Sequence, residues 1–424
     1  MQKDYGLFAL ICLCRSAGQK VFKDSNMTIL IKTFHSGTGD CIFLRMQEGA
    51  KQYVIMTDCG SFKDEDLIQH YVQDELGGKI DLLIVTHIDN DHIVGVRDML
   101  LTPGIKVGRI IFNCYQRNGL GEKKKLTKYQ QERLSEIERE LGLIVGDIIE
   151  RNVGAPEAMK GLAATILGSP TLKRVWDRNY TLQGKELDLE EWGKIVFLSP
   201  TTKEIETLDK EFRHVLFDEL NVDHTMGEWD KKEELFEILL RYAMLQVPGG
   251  AAVEKDTAGA DTLEDRLEKA KNEPVDTNSI TAANKASLAF VWEKGEHRIL
   301  MMGDANPDLV VKGLQDYYEA KKPPIMFDAI KVSHHGSHYN TTDELLRMAD
   351  SEHYFFTGGQ EEKRPSEEAI GRIALRPLPE GIKKRCLHFN YKTTLVEELR
   401  KDKELQAKYH FMVDTTKNEQ VFTF

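Results

Sequence analysis

The sequence predicts a layered α/β or α+β fold, and three observations carry that expectation. Short apolar runs of β-forming residues recur along the chain with helix-like stretches between them, at spacings that suit mixed layers. Hydrophobic residues make up 41% and charged residues 30% of the 424 positions, enough apolar material for a sizeable core. Several of the runs also end in Asp or His beside Gly or Ser, the way sites of layered α/β folds are assembled from strand tips.

Taken in order, the chain opens with a short apolar run from Leu7 to Cys14, preceded by Lys3 and Asp4, whose charges cancel. No small-residue cleavage site follows it, and it is too short to span a bilayer. Met27 begins the first natural strand. Residues 1–26 therefore read as an N-terminal extension, an upstream start in the main reading and a secretion signal in the minor one. Residues 27–424 read as one domain. Strands are expected at Thr28–Phe34, Cys41–Arg45, Tyr53–Thr57, Asp81–Thr86 and Arg109–Asn113, with helices at Asp64–Leu76 and Ile93–Leu101. From Lys123 to Glu150 the spacing of Leu126, Leu134, Ile137, Leu141 and Ile144 predicts an amphipathic helix. Lys203 to Gln246 is again helical and charged, so helical insertions are expected at about 114–194 and 201–283, around a strand at Ile195–Leu198. Pro248 to about Asn284 is rich in turn formers and acids and reads as a mobile excursion. Strands resume at Leu288–Trp292 and Arg298–Met302. No repeat of fixed period appears.

The net charge of −12 argues against broad electrostatic adhesion to DNA or to anionic membranes, which needs Lys and Arg to neutralise phosphates. A nucleic-acid substrate stays compatible with it, because bound divalent cations add local positive charge. Basic stretches at Lys123-Lys124-Lys125, Lys321-Lys322 and Lys383-Lys384-Arg385 are expected either to flank a nucleic-acid strand or to be solvated faces. Six scattered cysteines without a CxxC pair suit buried or free thiols, and a cytoplasmic location is expected, with no membrane association.

One stretch carries chemistry. In Thr86-His87-Ile88-Asp89-Asn90-Asp91-His92, four metal-capable side chains follow the apolar run Leu82–Val85. A strand ending in a turn points such residues around one spot, whereas a helix aligns only those three or four apart. Imidazoles with carboxylates suit Zn²⁺, Mn²⁺ or Fe²⁺ better than Ca²⁺ or Mg²⁺. Asp-Asn-Asp is also ordinary turn chemistry, but that alternative leaves the two flanking histidines unexplained. Asp58 after Ile55–Thr57, Asp304 after Leu300–Gly303, and His334-His335 after Ile330–Ser333 repeat the same pattern of strand then ligand. No G-x-S-x-G elbow and no P-loop before a helix is present.

Together these motifs resemble the metallo-β-lactamase superfamily, and most nearly its ComEC-like branch, which has H-x-D-x-D-H in place of H-x-H-x-D-H. The resemblance rests on Gly39-Asp40-Cys41-Ile42, Asp58, the 87–92 loop, Asn284-Lys285-Ala286-Ser287-Leu288, Gly303-Asp304 and His334-His335-Gly336-Ser337. It covers about 27–113, 195–200 and 284–375. It implies a four-layer αββα sandwich with helical insertions and two divalent metal ions, Zn²⁺ or Mn²⁺, as cofactors. By position, Asp91, His92 and one histidine of the HHGS box, His334 in the favoured reading and His335 in the alternative, would hold one ion, His87 and Asp89 the other, and Asp304 would bridge them. Asp58, Asn284, Ser337 and His335 would support those ligands from behind. Asp91, Asp304 and His335 are the residues expected to carry catalysis, His335 as general acid or phosphate donor. Ser337, His338 and Asn340 would reach substrate oxygens or serve in plain loop hydrogen bonds.

This chain departs from the pattern in two places, at Ala282-Ala283-Asn284 and at Arg364-Pro365-Ser366. A histidine common before the Ser-Leu strand is replaced in Ala282-Ala283-Asn284, which leaves the first metal site poor in ligands. Asp89 in place of a histidine makes the set richer in oxygen, a tilt towards Mn²⁺. ComEC-like chains often carry His-Pro after HHGS, where this one has Arg364-Pro365-Ser366. The expected function is a metal-dependent hydrolase using a metal-bound hydroxide, foremost a phosphodiesterase or nuclease acting on DNA or RNA. The alternatives are hydrolysis of a small phosphodiester, lactone or thioester, and a non-catalytic, metal-stabilised subunit that docks protein partners through the insertions.

Overall fold

The computed structural model describes residues 27–37, 39–60, 65–115, 125–149, 161–222, 232–246, 261–358, 364–415 and 419–423. The expected extension 1–26, Lys123-Lys124, and the 248–260 part of the acidic excursion lie outside the described residues.

The strands run β1 (Met27–Thr33), β2 (Ile42–Glu48), β3 (Lys51–Thr57), β4 (Lys79–Val85), β5 (Lys106–Phe112), β6 (Trp176–Asp177), β7 (Glu186–Asp188) and β8 (Lys194–Ser199). They continue as β9 (Ala289–Lys294), β10 (His297–Met301), β11 (Ile325–Phe327), β12 (Ala329–Lys331), β13 (Ala349–Ser351), β14 (His353–Phe356), β15 (Arg385–Phe389), β16 (Phe411–Asp414) and β17 (Glu419–Thr423). One sheet has the order β17-β1-β2-β3-β4-β5-β6, the other β16-β15-β14-β12-β10-β9-β8-β7, and β11 pairs with β13 beside them. The eight strands expected from sequence are present, their ends displaced by at most three residues.

The layers follow from side-chain alternation. Inward residues of the first sheet, among them Ile29, Ile31, Leu44, Ile55, Leu82 and Ile84, pack against Ile195, Phe197, Trp292, Ile299 and Met301 of the second. Phe43, Met56, Leu83, Val85 and Phe112 on the outer face of the first sheet lie under helices that include Asn90–Leu101, Thr202–Leu220 and Lys232–Gln246. Leu300, Ile330, Phe356 and Leu387 lie likewise under Pro307–Tyr317, Glu367–Ala374 and Thr394–Lys401. This is the αββα sandwich with helical layers outside. Parallel runs β3-β4-β5 and β10-β12-β14-β15-β16 are covered on both faces, which is why their sequences read as nearly unbroken apolar stretches.

Several expectations need correction. The 114–194 segment is not only helical, since β6 extends the first sheet and β7 borders the second. Asp64–Leu76 is a helix Glu65–His70 that widens into a π-turn at Tyr71–Glu75. The Lys203–Gln246 stretch is two helices. A Thr201/Glu204 capping box starts the first, and Asn221 in the left-handed conformation stops it. Residues 261–285 are docked on the fold rather than loose. Helix Leu263–Ala270 buries Leu267 and Ala270, and Arg266 Nε donates to Glu367 Oε1 at 2.8 Å. Gly371 lets it come close, because a Cβ there would stand 2.6 Å from the Leu267 carbonyl oxygen. The surrounding charge hid this short apolar stripe. Among the described residues, no helix is long and apolar enough to cross a membrane.

Candidate metal centre

The C-terminal tips of β3, β4, β10, β12 and β14 bring together Asp58, His87 to His92, Asp304, His334-His335 and Thr357. Helix Asn90–Leu101 begins directly after Asp89. Asp89 occupies the N-cap position, yet its side chain makes no capping hydrogen bond, so ordinary cap chemistry does not account for it. Asn90 turns away instead, its Oδ1 accepting from Arg241 Nε at 2.6 Å. The Ser36–Asp40 loop lies against the start of this helix, and a Cβ on Gly39 would overlap the Asp91 carbonyl. Asp58, His334 and His335 adopt left-handed φ of 55°, 50° and 56°, half of the six non-glycine cases among the described residues. Such backbone concentrates at functional sites held by their surroundings.

Each histidine has its Nδ1 engaged. His92 Nδ1 lies 2.8 Å from Asp58 Oδ2, which as a carboxylate oxygen only accepts. Thr86 Oγ1 gives its proton to Asp58 Oδ2 at 2.7 Å and so accepts from His87 Nδ1 at 2.9 Å. Asn340 donates its amide to the carbonyls of Asp304 and Ala305 at 3.0 and 3.1 Å, which leaves its Oδ1 to accept from His334 Nδ1 at 3.0 Å. The Thr357 carbonyl accepts from His335 Nδ1 at 2.8 Å. All four rings are thereby turned with Nε2 towards the centre. There Asp304 Oδ2 lies 3.4 Å from His334 Nε2, 3.5 Å from His92 Nε2, and 3.9 Å from the Nε2 of His87 and of His335. Asp89 Oδ2 is 3.5 Å from His87 Nε2, and Asp91 Oδ2 is 3.4 Å from His335 Nε2.

This donor set fits divalent cations. The Nε2 atoms of His87, His92 and His335, with Asp89 Oδ1 and Asp304 Oδ1, are buried without a hydrogen-bond partner. An unsatisfied buried polar atom costs about 1–3 kcal/mol, so five in one place require something to meet them. Around this centre, among the described residues, three groupings have donor atoms within 4.8 Å of one another: His87, His92 and Asp304; Asp91, His92 and His335; and Asp40, Asp58 and His92.

The electrostatics agree. Burial alone raises a carboxyl, but the His334, His92 and His335 charges outweigh it and hold Asp304 well below the ordinary range. Asp91 is likewise held low against burial, by His92 and His335. Burial, assisted by Arg364 and His335 and opposed by Asp304, brings His334 down to about 3. His335 resists burial through Asp304 and Asp40 and is pushed up to about 9. Behind His335, Asp40 Oδ1 lies 3.2 Å from Nδ1, accepts from Thr357 Oγ1 at 2.5 Å, and shares the buried Lys331 ammonium through its other oxygen.

The structure thus gathers His87, Asp89, Asp91, His92, Asp304, His334 and His335, with Asp58 behind His92. His335 rather than His334 groups with Asp91 and His92, and its side chain is 0% exposed against 15% for His334. Asn284 Nδ2 sits 3.4 Å from His334 Nε2. Ser337 Oγ accepts from Tyr339 N within the loop, whereas His338 Nε2 contacts the Pro274 carbonyl at 3.1 Å and joins the loop to the 261–285 segment. Thr86, Thr357 and Lys331 went unnoticed in the sequence. Lys331, a cation ending a buried strand, was the one detectable signal. Ser366 N donates to the Gly336 carbonyl at 3.0 Å, which seats Arg364-Pro365 beside the HHGS turn.

Residues 37–172 match the family model of the metallo-beta-lactamase superfamily. Among solved structures the chain is similar to the metallo-beta-lactamase fold protein YhfI from Bacillus subtilis, at 9% identity over 94% of this chain and 100% of that one, with a TM-score of 0.36. No curated protein matches it in sequence.

Proposed function

We propose, from a metallo-β-lactamase superfamily domain with its metal-dependent hydrolysis as the premise, that this chain is a phosphodiesterase. The observation that carries the reading is the single oxygen Asp304 Oδ2 within 3.4–3.9 Å of four imidazole Nε2 atoms whose Nδ1 positions are already engaged. His87 and Asp89 would hold one ion, Asp91, His92 and His335 the other, with Asp304 between them. This exchanges the parts that the motif order suggested for His334 and His335. Two divalent ions held there would supply Lewis acidity and a nucleophilic water at neutral pH. Three carboxylates among the donors favour Mn²⁺ over Zn²⁺. Asp58 and Thr86 orient His92 and His87, while Asp40 and Lys331 fix His335 from behind. His334, the more exposed of the pair and held neutral, would contact substrate. Arg364 at the HHGS turn supplies a cation that suits an anionic phosphodiester. The four cysteines among the described residues are buried and free, which fits the reducing cytoplasm.

The ComEC-like motif order supports DNA or RNA as substrate. Placement of the basic stretches favours a second reading, a small phosphodiester. Arg385 is fully buried against Asp350, with Nη2 at 2.8 Å from Oδ2, and Lys383-Lys384 lead into the N-terminal end of β15. Lys321-Lys322 precede β11 after helix Pro307–Tyr317 has run back from Asp304. Both stretches therefore lie at the strand ends opposite the centre. The test is Mn²⁺-loaded protein offered labelled single- and double-stranded DNA, RNA, a cyclic dinucleotide and bis(p-nitrophenyl) phosphate. Cleavage of polymers supports the first reading, and cleavage of the small diesters alone supports the second. Inertness towards all of them, beside turnover of a lactone or thioester, overturns both.

A further inference from the structure

We propose that His353, Cys386 and His388 form a second metal site, for a borderline-soft cation of the zinc class, apart from the centre around Asp304. The parallel register pairs His353 with Cys386 and Phe355 with His388, so these side chains share one face of the second sheet. Phe355 belongs to the core between the sheets, which makes this the inner face. One donor atom from each of the three residues lies within 4.8 Å of the other two. Cys386 and His388 are 4% and 7% exposed, and the Phe355 ring stacks on His388 at 4.7 Å, fixing its orientation.

Two imidazoles and a thiol are a donor set characteristic of zinc, unlike the nitrogen and oxygen set around Asp304. His353 Nδ1 stands 2.9 Å from His388 Nε2, a distance bridged by one ring proton in the metal-free protein. A tetrahedral ion with bonds of about 2.0 Å would take the place of that proton and part the nitrogens to roughly 3.3 Å, within the reach of a small ring rotation. Asp414 Oδ2 lies 3.6 Å from His388 Nδ1, on the other side of the ring, where it favours a proton on Nδ1 and a lone pair on Nε2. Burial, and then the neighbouring His353, brings His388 down to about 4, so the ring is neutral as a ligand must be. Burial pushes the Cys386 thiol up to about 11, so a bound cation displaces the thiol proton to solvent as the metal–sulfur bond forms. His353 opens β14 while Thr357, which holds His335, follows its end. At about 3.3 Å per residue the two sites are separated by roughly 13 Å along the strand.

Cobalt decides the matter, because a thiolate-to-Co²⁺ charge-transfer band in the near ultraviolet needs a cysteine ligand, and no cysteine is in the Asp304 donor set. Protein loaded with Co²⁺ should show the band and bind one ion more than Cys386→Ser or His353→Gln. Asp304→Ala should keep the band, which separates this site from the hydrolytic reading. Absence of the band, or its persistence in Cys386→Ser with equal ion content, overturns the site and leaves a hydrogen-bonded histidine pair. If Cys386→Ser fails to fold by circular dichroism, His353→Gln at the partly exposed start of the strand decides alone: loss of the band and of one ion supports the site, and retention of both rejects it.

Discussion

Four chemically different acceptors hold the four histidines: a carboxylate for His92, a hydroxyl for His87, a side-chain amide for His334 and a main-chain carbonyl for His335. Their shared effect is a ring turned with Nε2 inward, so removing one acceptor should weaken metal binding without touching a ligand. Thr86→Val keeps the shape and deletes the acceptor for His87, and is expected to lower metal affinity about 10- to 100-fold with the fold intact, as read by competition with a chelating dye. Gly39→Ala should act more severely, because its Cβ would overlap the Asp91 carbonyl and push the 36–40 loop, with Asp40, off the helix start. Native-like circular dichroism with loss of bound metal is the expected outcome, and full metal content would contradict it. Proton competition adds a pH dependence. His335, raised to about 9, keeps its Nε2 proton at neutral pH, and an entering cation must displace it. His334, lowered to about 3, has no such proton to lose above that pH. Apparent affinity should therefore rise from pH 7 to 9 by about tenfold per unit for the His335 proton, and more steeply because His92, held above the usual imidazole range against burial by Asp304, Asp91 and Asp58, loses a proton as well, with matching proton release in calorimetry in two buffers. The ligand-type residues were legible in sequence because each follows an apolar run. Which histidine faces inward was not, because it depends on the left-handed backbone at His334 and His335 and on Asn340 and Thr357, partners without a motif of their own.

At the scale of elements, the metal-motif helix is positioned by a helix far along the chain. Arg241, on Lys232–Gln246, is 7% exposed, donates to Asn90 Oδ1 and pairs with Glu237 Oε1 at 3.0 Å. Glu237 in turn accepts from the amides of Leu162 and Ala163 at 2.8 and 2.7 Å, the first turn of helix Leu162–Gly168. The inserted helices are thus joined to the site as much as to the core. Arg241→Met leaves Glu237 without its cation in a buried setting, a change that costs about 3–5 kcal/mol. Urea unfolding should register that loss, and metal affinity should fall because Asn90 is released. An unchanged midpoint would show the pair to be dispensable. Period-two apolar patterns made the main strands readable, and Leu/Ile spacing the long helices. Short elements were hidden: β6 and β7 are two and three residues long, and helix Leu263–Ala270 carries its apolar stripe among charges.

For the whole molecule, the decisive pairing joins the ends of the described chain. β17 lies antiparallel on β1, Thr28 opposite Thr423 and Lys32 opposite Glu419, so the last strand closes the first sheet at its edge. No motif announces this, since register between segments almost four hundred residues apart is set by which edge remains open once the rest has folded. Its consequence reaches the centre. β1 leads into the loop bearing Asp40, and Asn390 Nδ2 donates to the Phe34 carbonyl at 2.8 Å, tying that loop to the second sheet just after β15. Deleting residues 416–424 would leave β1 without its edge partner over the five positions from Thr28 to Lys32, a template for pairing with another chain. The truncated protein should unfold at lower urea, form dimers or larger species on size exclusion, and retain less metal than the full chain. A monomer with the full-length midpoint and full metal content would mean that the first sheet stands without its last strand, and that the contacts of Asp40 with Lys331, Thr357 and Gly60 and the Asn390 tie suffice to hold its loop.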